Sequence, residues 1–72
     1  MQALAKDLGL KIRERRIMVG LSQDALAHAC GLDRSYMGRI ERGEVNLTIE
    51  KLYRIARQLK CQPQTLLPRL AR

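Results

Sequence analysis

Phenylalanine and tryptophan are missing from these 72 residues and tyrosine occurs only twice, so any core has to be built from Leu, Ile, Val, Met and Ala. That palette suits helices packed through short side chains. A sheet protein would alternate β-branched and aromatic residues with polar ones, and no such run is present. Cysteine is scarce too. Cys30 and Cys61 stand far apart, with no Cys-x-x-Cys and no paired histidines, which argues against a metal site and for two small apolar side chains in a reducing compartment. No apolar run approaches the ~20 residues that span a bilayer, and the first residues lack the layout of a signal peptide. The expectation is a cytoplasmic protein without a membrane partner. The single histidine, His28, has no Ser or Cys disposed as a nucleophile, and the acids form no convergent pair. No enzyme, cofactor or small-molecule ligand is therefore expected.

Negative charge is the other shortage. Seven Asp and Glu face 14 Lys and Arg, a net charge of +7, which favours a polyanionic partner. With 46% hydrophobic and 29% charged residues the composition is that of a folding chain, and its length is that of one domain, taken as residues 1–72.

Five helices are legible, an all-α fold. Leu4, Leu8 and Ile12 recur every four positions and line one face of a first helix over residues 3–19, closed by Gly20. The next member of that stripe is Arg16, and a charge on a buried face needs a partner. Ser22 caps a second, short helix carrying Leu26, Ala27 and Cys30 on its inner side and stopping at Gly31. Asp33 is expected to cap a third, with Met37 and Ile40 inside and Gly43 as its stop. Thr48 caps a fourth, with Ile49, Leu52, Ala56 and Leu59 expected inside. Pro63 fits the first position of a last helix with Leu66 and Leu67, which Pro68 should end.

Two short capped helices joined by Cys30-Gly31-Leu32-Asp33 make a helix-turn-helix over about residues 22–42, whose second helix can enter the major groove of DNA. On a wheel, Arg34, Ser35, Gly38, Arg39 and Arg42 share one arc without an acid. Arginine's planar fork fits the O6 and N7 acceptors of guanine, so Arg34 and Arg39 are candidate base readers, with Ser35 a weaker one. Gly38 fits either close approach to DNA or a helix contact. Gln23 and Ser22, at the start of the second helix, are candidates for phosphate. Tyr36, at the edge of the arc, could touch phosphate or pack. Glu41 borders the core on the third helix and is the natural partner of Arg16.

The stretch Leu21-Ser22-Gln23-Asp24-Ala25-Leu26-Ala27, then Gly31, then Arg34 through Gly43 resembles the Xre or Cro/CI family, with a lambda repressor-like fold. Ile12, Arg16, Ile49, Leu52, Ile55, Ala56 and Leu59 extend the likeness to nearly the whole chain. The resemblance implies a bacterial or phage transcription regulator in which Gln23 meets a phosphate, Arg34, Ser35 and Arg39 face bases, and Arg42 with the following loop holds the backbone, Asn46 included. The small size resembles restriction-modification controller proteins, which dimerise through their last helices. Glu44, where the family often has a basic residue, and Leu47, where it often has proline, depart from the pattern.

Leu66, Leu67 and Leu70 are many apolar residues for a short end segment, so residues 59–70 are the candidate dimerisation segment. A homodimer would read a palindromic operator on double-stranded DNA. An antitoxin-like protein using the same leucines against a toxin partner is the alternative from another class.

Overall fold

The four-residue apolar spacing at the start of the chain becomes α1 (Gln2–Met18), and the capped segments that follow become α2 (Gln23–Ala29), α3 (Arg34–Glu41), α4 (Ile49–Gln58) and α5 (Pro63–Leu66). These elements come from a computed structural model that describes residues 2–70; Met1, Ala71 and Arg72, the ends of the expected domain, lie outside the described residues. There is no strand among the described residues, in keeping with the all-helical expectation. α3 packs against both α1 and α2, while α4 and α5 pack on each other, with α5 against α1 and α4 against α2.

Local chemistry explains most helix ends. Ser22 Oγ accepts from the Ala25 amide at 3.0 Å and Thr48 Oγ1 from the Lys51 amide at 3.2 Å, each satisfying a donor that a helix start leaves unpaired. Asp33 occupies the expected cap position of α3 but makes no cap bond. Its carboxylate instead accepts from the Ser35 hydroxyl, a correction to the sequence reading. Helix ends are closed less predictably. Arg15 Nε and Nη2 donate to the carbonyls of Leu59 and Lys60, both at 3.1 Å, at the end of α4, where Lys60 takes a left-handed φ of 58°. Arg54 Nη1 likewise donates to Cys30 O at 3.1 Å, at the end of α2. An arginine from one helix thus satisfies orphan carbonyls of another.

Ile12, Leu26, Met37, Ile40, Ile55, Leu59 and Leu66 are sealed in a single cluster with Ala27, Cys30, Leu52 and Ala56. Burial pushes the Cys30 thiol up, with Arg54 opposing it. Three sequence expectations change here. The α1 stripe leaves the core towards its start, where Leu4 is exposed. Ile49 is 70% exposed rather than inside, because as the first residue of α4 it precedes the turn that meets the core. Leu66, expected on an association surface, is 1% exposed and closes the core of its own chain, leaving Leu67 and Leu70 outside.

The α1–α3 junction is made by absent side chains. A Cβ on Gly9 would collide with Ile40 O and stand 2.6 Å from Glu41 O, both backbone atoms. A Cβ on Gly43, which already holds φ +74°, would lie 2.5 Å from Lys6 Cα. Both glycines let α1 lie directly on the end of α3. Alanine in a helix interior usually gains ~1 kcal/mol over glycine. At position 9 the collision reverses that sign, because main chain cannot step aside as a side chain does. Gly9→Ala is therefore expected to destabilise the fold by about 1–3 kcal/mol. Urea unfolding checks it, and a raised midpoint would refute the contact.

Candidate nucleic-acid interface

α3 begins where the turn after α2 releases it and ends where Gly43 turns the chain, so its eight residues carry one buried and one outward face. Met37 and Ile40 enter the core, while Arg34, Ser35 and Arg39 are exposed. The outward arc departs from the wheel at one position. Gly38 is buried, and a Cβ there would stand 3.0 Å from Arg42 Nη1 and 3.5 Å from Gln23 Oε1. Of the two readings left open for this glycine, a helix-side contact is present: the Arg42 side chain and the start of α2 fold over it. Gln23, Asp33, Arg34, Ser35, Gly38 and Arg42 together line a surface hollow of about 380 Å³ between α2 and α3.

A polar network fixes this hollow from below. Arg16 Nε donates to Glu41 Oε2 at 2.7 Å and its Nη2 to Oε1 at 3.2 Å, a bidentate pair. Arg16 Nη1 donates to Leu21 O at 2.8 Å, ahead of α2. Gln23 Nε2 donates to Glu41 Oε1 at 3.1 Å. The Glu41 side chain is only 4% exposed, and every buried side-chain N or O among the described residues has a partner. Glu41 therefore gathers α1, α2 and α3 at one carboxylate. An amide nitrogen has two N–H groups, so Gln23 retains a second donor beside the hollow.

Arg42 and Glu44 form a second cluster at the open end of α3. Arg42 Nε donates to Glu44 Oε2 at 2.8 Å and Nη2 to Oε1 at 3.4 Å, while Arg39 Nε stands 3.7 Å from Glu44 Oε1. The hydrogen bond from Arg42 holds the Glu44 carboxyl below its usual pKa and raises that of Arg42. Tyr36 is half-buried against the core, with Lys51 Nζ 4.8 Å from its ring centre and 3.5 Å from its hydroxyl. Packing thus accounts for the ring, and Lys51 adds a cation that the sequence reading did not single out.

Arg34, Ser35, Gln23 and Arg42 are brought together, with Ser22 beside them in an adjoining hollow that also takes in Arg13. Arg13 was also missed. It sits in the run Arg13-Glu14-Arg15-Arg16, where local pattern cannot tell which arginine meets α2. Asn46 is not brought to this site. It is exposed on the rim of an apolar groove of about 330 Å³ formed with Leu4, Leu8, Val45, Leu47, Leu67 and Leu70. No group of three or more His, Cys, Asp or Glu suited to a metal occurs among the described residues.

The family model HTH_3, helix-turn-helix, matches residues 12–66. Control protein C.BamHI of Bacillus amyloliquefaciens is 38% identical over 60 residues, covering 82% of this chain and 74% of that protein. Control protein C.SmaI of Serratia marcescens is 39% identical over 62 residues, covering 86% and 74%. The crystal structure of the restriction-modification controller protein C.AhdI from Aeromonas hydrophila superposes with a TM-score of 0.86 at 40% identity, covering 90% of this chain and 98% of that one.

Removing the Glu41 carboxylate strands Arg16 and leaves Gln23 without its acceptor. Glu41→Ala is expected to cost about 3–5 kcal/mol of stability. Replacing both ends with apolar residues, Arg16→Met with Glu41→Leu, should recover most of it. Urea denaturation of the three proteins checks this, and an unchanged midpoint for Glu41→Ala would reject the network as a clamp.

Proposed function

This chain belongs to the HTH_3 helix-turn-helix family, and we propose that it is a sequence-specific regulator of transcription that binds double-stranded DNA as a homodimer. The observation that carries the reading is the outward face of α3, where Arg34, Ser35 and Arg39 are exposed beside a hollow lined by Gln23 and Arg42. A major groove admits one α-helix, and these side chains are of the types that donate to guanine edges and phosphate oxygens. Arg34 and Arg39 read bases with help from Ser35. Gln23, Arg42 and the exposed cation Arg13 hold the backbone, with Ser22 contributing through the helix start it caps. Tyr36 and Lys51 offer a further backbone contact from the α3–α4 side, and Asn46 a peripheral one. The net charge of +7 and the relatives named control proteins support the same reading.

One reading helix covers a few base pairs, so a second copy and a palindromic operator with half-sites about one helical turn apart complete the site. Leu67 and Leu70, the latter 92% exposed, border the apolar groove and are the residues we assign to the subunit contact. Action on operator DNA places the protein in the cytoplasm.

Binding to duplexes selected from a randomised pool, and to scrambled duplexes across salt, tests this. Log affinity should fall against log salt by about 0.9 per phosphate neutralised. Selected DNA should bind at least ~10³-fold more tightly than scrambled DNA. Arg39→Ala should cost about 1–3 kcal/mol of discrimination at one base pair, whereas Gln23→Ala should weaken all sequences alike. Equal losses on every sequence for Arg39→Ala would remove it from the base readers. In sedimentation equilibrium Leu67→Asp should shift the protein towards monomer and weaken operator binding with it. A wild type that stays monomeric at concentrations saturating the operator would overturn the dimer.

A further inference from the structure

The reading of α3 as a DNA-contacting helix leaves one residue unexplained: an acid at its open end. Glu44 lies just beyond α3, and its amide donates to Arg39 O at 2.9 Å, which fixes where its carboxylate can reach. That carboxylate takes the Nε and Nη2 edge of Arg42 at 2.8 and 3.4 Å and stands 3.7 Å from Arg39 Nε. All three side chains are about half exposed, so nothing in the fold requires this neutralisation.

We propose that Glu44 is a built-in competitor for DNA phosphate, occupying Arg42 and shadowing Arg39 until a duplex displaces it, and so sets how tightly the protein holds DNA of any sequence. The inference rests on the DNA-binding function proposed above.

A carboxylate and a phosphate use the same two parallel N–H donors of a guanidinium, so Arg42 cannot serve both through that edge. An exposed ion pair is weak enough for the high phosphate density of a duplex to break it. Without a Cβ at Gly38, Arg42 Nη1 lies over the helix beside Gln23, so the guanidinium that Glu44 holds by its other edge borders the hollow a phosphate would enter. Phosphate borders every DNA sequence, so the competition lowers affinity broadly and leaves base discrimination to Arg34 and Arg39.

The test compares the full-length wild type with Glu44→Gln, which keeps size and loses charge. Binding is measured by fluorescence anisotropy to a duplex selected by the wild type and to a scrambled duplex, from 0.1 to 1 M salt. Glu44→Gln should bind both duplexes more tightly, by about eightfold at 0.1 M with the gain fading towards 1 M, a salt slope steeper by about 0.9 for one phosphate gained. Glu44→Ala should change affinity in the same direction. In an Arg42→Ala background the gain from Glu44→Gln should fall below about twofold, because the contested donors are gone. Unchanged or weaker binding by variants whose thermal melts match the wild type overturns the proposal, as does an undiminished gain in the Arg42→Ala background, which would mean net charge alone is at work. A wild type that binds no duplex at any salt is a different result and removes the DNA-binding reading itself.

Discussion

One carboxylate, that of Glu41, decides how the three helices of the site sit on one another. It accepts from Arg16 of α1 and Gln23 of α2 while belonging to α3, so any rotation of the outward helix breaks a charge-assisted bond that water cannot readily replace. A buried pair of this kind adds little net stability compared with apolar packing. What it adds is a register. The core beneath consists of aliphatic side chains and tolerates small rearrangements, whereas the bidentate Arg16–Glu41 geometry tolerates almost none. The same carboxylate orients the Gln23 amide, so the bond that fixes the helices also presents a donor to the hollow. Gly9 and Gly43 complete the arrangement by letting α1 approach closely enough for Arg16 to reach.

How much of this was legible depended on how local each signal was. Ser22 and Thr48 declared their caps within four residues, and Gly20, Gly31 and Gly43 marked the ends of the first three helices by the left-handed backbone they adopt. Arg16 was legible for a subtler reason. A charge in an apolar stripe is a contradiction that only a partner resolves, and few acids were available to be that partner. Glycine at position 9 gave no such signal, because its meaning lies in the Ile40 and Glu41 carbonyls 31 and more residues away along the chain. Ile49 misled because the period of a helix does not say at which turn the helix first meets the core. Leu66 misled because three neighbouring leucines look alike in sequence, and only the geometry of α5 turns one inward. The outward arc is exposed as expected at Arg34, Ser35, Arg39 and Arg42, and at Gly38 the structure has the helix-side contact of the two readings left open, which a wheel cannot distinguish from an open position when a neighbouring side chain folds back over it.

Several of the 14 Lys and Arg are already claimed inside the fold. Arg15 and Arg54 are tied to carbonyls at the ends of other helices, Arg16 to Glu41, and Arg42 to Glu44. Two of these arginines do what a glycine or water would do elsewhere, satisfying backbone acceptors that a short chain with few aromatic residues cannot hide. What separates a structural arginine from one available to a polyanion is whether an acceptor inside the protein has already claimed its planar edge. Arg34 donates no hydrogen bond to the described residues, and Arg39 has only the longer approach of Glu44. On that criterion Arg34 shares its availability with Arg13, Arg57 and Arg69, which also donate to no acceptor among the described residues, so what sets Arg34 apart is its setting, beside the Ser35 hydroxyl and the Gln23 amide in one hollow, more than its being unclaimed.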